Sequence, residues 1–122
     1  MIEGAAQVTA VEFNPLVVEA AGDIYRNPRV YPVMEDSRSF VRQTSARYDV
    51  LTLALTTPYR PIRSGAYSLA EDYVYTVEAF RDYVACLAPD GMLVVTRWLQ
   101  MPPSESLRTF ALAVTALEPV SY

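Results

Sequence analysis

Apolar and polar positions along the chain fall into blocks whose period changes. Residues 7–12, QVTAVE, form a short apolar run rich in β-branched side chains, which predicts a buried strand. NPLVVEAAG then predicts a helix: Asn14 suits the cap and Pro15 the first helical position, with Gly22 ending it or the helix running to about Tyr25. RVYPVM, residues 29–34, predicts a second strand, and Pro32 within it points to a sheet edge because proline has no N–H to donate. DSRSFVRQTS opens a short helix capped by Asp36 or Ser37, and YDVLTLAL, residues 48–55, reads as the most apolar and central strand. A long loop runs from Thr56 to about Ser68, with Ser68 and Glu71 at capping-box spacing. Val77, Phe80, Val84 and Leu87 follow Thr76 at spacings of 3, 4 and 3, one face of a helix capped by that threonine. APDG reads as a turn in which Gly91 takes a positive φ, MLVVTRW (92–98) as a fourth strand, and Leu107, Phe110, Ala111, Val114 and Leu117 as the apolar stripe of a last helix opened by Ser104.

Strands therefore alternate with helices, and the strands are apolar on both faces. This is the pattern of an α/β fold with a mainly parallel sheet covered on both sides. No internal repeat or low-complexity tract interrupts it. A chain of 122 residues has room for one domain, expected to span 1–122.

Composition narrows the chemistry. There is no histidine and a single cysteine, Cys86. Histidine-based triads and general bases are excluded, an intrachain disulfide is excluded, and no metal site is expected. Net charge is −4 without a basic cluster, which argues against nucleic acid. No apolar run reaches the roughly 18–20 residues of a membrane helix, and a cytoplasmic location is the expectation. Chemistry is left to carboxylates, hydroxyls, tyrosine, arginine, backbone amides or a bound cofactor.

Two acids stand out by position. Glu12 closes the first strand just before Asn14 and Pro15, and Asp36 follows the second strand with Ser37 beside it. In open parallel sheets ligands bind beyond the carboxyl ends of the strands. A carboxylate there can accept hydrogen bonds from a ribose diol or an exocyclic amine. Each acid also has a plainer use: Glu12 as a solvated residue favouring the next helix N-terminus, Asp36 as a helix cap.

VTAVEFNPLVV, NPRVYPVMEDSRSFVR, YDVLTL and YVYTVEAFRDYVACLAPDGMLVV together resemble the spermidine synthase-like (polyamine aminopropyltransferase-like) branch of the S-adenosylmethionine-dependent methyltransferase superfamily. The resemblance implies a Rossmann-like three-layer sandwich. It implies binding of S-adenosylmethionine or its decarboxylated form, with Glu12 on the ribose hydroxyls, Asp36 on the adenine amine and Ser37 lending a backbone contact. It also implies a substrate pocket bordered by Tyr75, with Thr57 and Tyr59 on the neighbouring loop. No metal is required, because the sulfonium cofactor carries the reactivity.

Two departures from the family pattern matter. The matched region begins after the family's first strand and glycine-rich loop and ends before its final hairpin, so the domain is expected to be truncated at both ends. Strand 7–12 would then pair directly with 48–55, or a partner segment or second copy would complete the sheet. The catalytic acid of aminopropyl transfer matches Ala54, and a second family acid matches Thr57; neither can take a proton from an amine. Arg60 and Arg63 on the same loop oppose a polycationic acceptor. The expected function is a spermidine synthase-like domain related to alkyl transfer, aminopropyl or methyl, with no catalytic residue assigned. The alternatives are a non-catalytic remnant or interaction domain of the same fold, and a nicotinamide-binding sheet.

Overall fold

A computed structural model of the chain describes residues 4–55, 73–99 and 101–119. Its elements run β1 (Val8–Val11), α1 (Pro15–Ala21), a 3-10 turn (Gly22–Arg26), β2 (Val30–Val33), α2 (Ser37–Gln43), β3 (Tyr48–Leu53), α3 (Val77–Ala85), β4 (Leu87–Val95) and α4 (Ser104–Leu117). The order is that of an α/β protein, and both ladders are parallel. Thr57, Tyr59, Arg60, Arg63, Ser68 and Glu71 lie outside the described residues.

The chain divides into two compact units, Met1–Thr44 and Ser45–Tyr122. The first holds the β1–β2 ladder, with Val8 opposite Val30 and Val11 opposite Val33. Helix α1 starts as its sequence dictates: Asn14 Oδ1 accepts from Leu16 N at 3.0 Å and Pro15 occupies the first turn. It ends at Gly22, whose φ of 48° is a conformation that a residue without a Cβ enters freely. Pro32 pairs opposite Ala10 within β2, and a two-stranded ladder leaves its missing N–H facing outward without loss.

The second unit holds the β3–β4 ladder and helices α3 and α4. The ladders among the described residues are β1–β2 and β3–β4, so the expected pairing of strand 7–12 with 48–55 is not among them. Among the described residues, β3 is not covered on both faces. Leu51 and Leu53 are half-buried, whereas Val50 and its register partner Met92 are exposed. An alternating apolar-rich strand can cover one face only, and the run of apolar letters concealed that alternation.

The core centres on α3. Thr76 caps it, its Oγ1 accepting from Ala79 N at 3.1 Å. The buried face is Ala79, Phe80, Tyr83 and Cys86, whereas the expected stripe shares only Phe80 with it. Tyr83 is fully buried; its hydroxyl donates to the Val74 carbonyl at 2.9 Å, which satisfies the polar tip, and its ring meets Phe80 edge-on at 5.7 Å. Leu87 belongs to the next strand instead, since the helix ends at Ala85.

Helix α4 also turns a different face inward. Leu107, Phe110 and Leu117 are exposed, while Thr109 is buried and Leu112, Ala113 and Ala116 are half-buried. Thr109, Ala113 and Ala116 have small side chains, which let the helix approach closely where bulkier ones would hold it off.

Gly91 corrects a further expectation. Its φ is not positive, and APDG lies inside β4, where the ladder register shifts. Glycine is required by close approach: a Cβ there would meet Tyr48 O at 2.8 Å and Ala88 N and O at 3.0 Å.

Candidate functional site

The C-terminal edge of the β1–β2 ladder gathers the first group of sequence-derived residues. Glu12 N donates to Val33 O at 3.0 Å, extending the ladder by one bond and fixing Glu12 at that edge. Its Oε1 accepts from Asn14 N at 2.8 Å. Three residues beyond Val33, Asp36 caps α2: its Oδ2 accepts from Ser39 N at 2.9 Å, and its carbonyl accepts from Phe40 N at 2.9 Å. Ser37 is the first residue of α2 and is half-buried.

Glu12 is thus held by the backbone N–H of Asn14, the residue that caps α1, and Asp36 by that of Ser39 in the first turn of α2. That is the plainer role foreseen for each, and it leaves further acceptor capacity, because a carboxylate offers about four lone-pair sites. Holding by a backbone N–H also limits rotation, so any donor arriving at this edge meets an oriented oxygen. Glu35, half-buried one residue before Asp36, is a third acid at the same edge. The sequence reading passed over it, although it stands in the same EDS run.

In the second unit, Ala54 directly follows β3 and is exposed. Thr96 N donates to Leu53 O at 3.1 Å, so Thr96 and Arg97 follow β4 at the same edge. Tyr75 is 8% exposed and packs among Phe80, at 6.3 Å between ring centroids, and Arg97, whose guanidinium carbon lies 3.9 Å over its ring. Arg97 Nη2 in turn donates to Glu105 Oε2 at 2.8 Å. Spacing along the chain did not reveal the Tyr75–Arg97–Glu105 stack, because its members come from three different segments.

Cys86 is buried at the end of α3, and burial pushes its thiol above the usual range, with Asp82 adding to the effect and Arg47 opposing it. A thiol kept protonated is a poor nucleophile, which fits a packing role. No group of three or more Cys, Asp or Glu side chains among the described residues could hold a metal ion. No helix among them is long and apolar enough to cross a membrane.

No protein-family model matches the chain. Individual proteins do. A polyamine aminopropyltransferase of Sulfolobus acidocaldarius is 29% identical over 122 aligned positions, covering 93% of this chain and 37% of the relative. Polyamine aminopropyltransferases of Mycobacterium tuberculosis and Mycobacterium bovis are each 32% identical over 103 positions, covering 75% of this chain and 18% of the relative. The chain thus spans well under half the length of the curated relatives it matches.

Proposed function

We propose, from the premise that the chain is spermidine synthase-like, that the C-terminal edge of β1–β2 binds the adenosine portion of S-adenosylmethionine or decarboxylated S-adenosylmethionine. Glu12 accepts from the ribose hydroxyls. Asp36 accepts from the adenine amine, and the backbone at Ser37 adds a contact to the ring. The observation that carries this reading is that two carboxylates held by backbone N–H groups stand one and three residues beyond the ends of two neighbouring parallel strands. Their chemistry fits the group: both are acceptors, and a ribose diol and an exocyclic amine are donors. When bound, the sulfonium supplies an electrophilic carbon for alkyl transfer. The chain's own contribution is to grip and orient the nucleoside.

Relatedness to aminopropyl transfer rests on the named relatives. Ala54 favours a second reading, in which the domain binds the nucleoside without transferring an aminopropyl group, since a methyl side chain cannot accept a proton from an amine.

Titration calorimetry of the chain with both sulfonium nucleosides, and with NAD, tests the proposal. It predicts binding of a sulfonium nucleoside, none of NAD, and a loss of about tenfold or more in affinity for Glu12→Ala, equivalent to ~1.4 kcal/mol. Absence of binding, or binding indifferent to Glu12→Ala, would contradict it. Assay with putrescine and decarboxylated S-adenosylmethionine separates the two readings: no aminopropyl product is expected if Ala54 is decisive.

A further inference from the structure

Within the second unit, a groove of about 910 Å³ runs between α4 and one face of β4. That lies in the upper part of the ~300–1,000 Å³ typical of small-molecule sites. Its walls are mainly apolar, with Phe80 from α3, Leu93 and Val95 from β4, and Phe110 and Ala113 from α4. Arg97, just beyond the end of β4, is the only charged side chain among the described residues that lines it. Its guanidinium is held over the Tyr75 ring at 3.9 Å and by Glu105 at 2.8 Å, and Glu105 is not part of the lining.

One atom of this assembly is left unsatisfied. Arg97 Nε is buried and has no hydrogen-bond partner, and it is the one such side-chain nitrogen or oxygen among the described residues. An unpaired buried donor on a charged group is costly. Because Nε is closed to solvent as Arg97 stands, a ligand acceptor satisfies it only when the side chain turns toward the groove, a movement that its ion pair with Glu105 opposes. A guanidinium edge is matched best by a carboxylate. The rest of the groove is mainly apolar, with the hydroxyl-bearing Ser106 and Thr109 from α4 also in its lining.

We propose that this groove binds an amphipathic monoanion, a carboxylate on an aliphatic body, with the carboxylate on Arg97 and the chain along Leu93, Val95 and Phe110. Neither Glu12 nor Asp36 lines the groove, so the proposal stands apart from nucleoside binding. The chain's net charge of −4 works against general attraction of anions, so a preference for the anion must come from Arg97 itself.

Calorimetry of the whole chain with decanoate and with decanol, both below their aggregation limits, is the test. Decanoate is expected to bind about tenfold more tightly than decanol, and Arg97→Met to erase that difference. Because Arg97→Met also removes the stack on Tyr75, two further variants keep the test decisive. Glu105→Gln frees the guanidinium from its competing carboxylate, so decanoate should bind more tightly. Ala113→Phe fills the apolar bore, so both probes should weaken with the circular dichroism unchanged. Equal affinity for the two probes, no gain in Glu105→Gln, or undiminished binding in Ala113→Phe would each overturn the proposal.

Discussion

Asp36 can serve as a helix cap or as a ligand contact, and substitution separates the two. Asparagine caps a helix about as well as aspartate, whereas alanine does not. Asp36→Ala should therefore cost ~1 kcal/mol in urea unfolding through loss of the Ser39 N–H bond, while Asp36→Asn should cost a few tenths at most. If the proposed adenine contact holds, Asp36→Asn still weakens nucleoside binding, since it exchanges a charged acceptor for a neutral one. Gly91 gives a sharper steric case. Gly91→Ala should destabilise by roughly 1–3 kcal/mol, because the atoms a new Cβ meets are backbone and cannot swing aside. Cys86 supplies the pH dependence. Its thiol holds a proton to higher pH when folded than when unfolded, so it leaves stability unchanged below ~8.5 and lowers it as pH rises beyond. Alkylation by iodoacetamide should accordingly be slow in the native chain and fast in urea, and equal rates would refute the burial.

At the scale of elements, local chemistry was the legible part. The Asn14–Pro15 entry, the Asp36 cap and the Thr76 cap were each readable because donor and acceptor lie within three residues of one another. What escaped depends on approach between distant segments. The Tyr83 hydroxyl finds its acceptor in Val74 O, nine residues away, and a Cβ on Gly91 would meet Tyr48 O from another segment as well as Ala88 nearby. The inward face of α4 is not legible from side-chain bulk, because Leu107, Phe110 and Leu117 are exposed while Thr109, Leu112, Ala113 and Ala116 turn inward. Two substitutions probe the α3 core. Phe80→Ala should cost about 3–5 kcal/mol, as a large buried ring is removed. Tyr83→Phe should cost roughly 1–3 kcal/mol, since it leaves the Val74 carbonyl without its donor while keeping the ring. If Phe80→Ala proves as mild as the change of an exposed residue, the placement of the core is wrong.

For the whole molecule, the α/β class and the parallel pairing were readable from the alternation of strands and helices, and the relatives agree with the family the motifs suggested. The candidate site was readable only as position: the letters put acids after strands, but not which backbone donors would hold them. Those donors now provide a direct probe. Asn14 N–H binds Glu12 Oε1 and Ser39 N–H binds Asp36 Oδ2, so any ligand that draws on these carboxylates must disturb those two amides. Amide chemical shifts of the nitrogen-15-labelled chain, followed during titration with S-adenosylmethionine and its decarboxylated form, test the nucleoside site most directly. The largest shifts are expected on Asn14 and Ser39 and their immediate neighbours. Shifts confined to other residues, or none at saturating nucleoside, would contradict it.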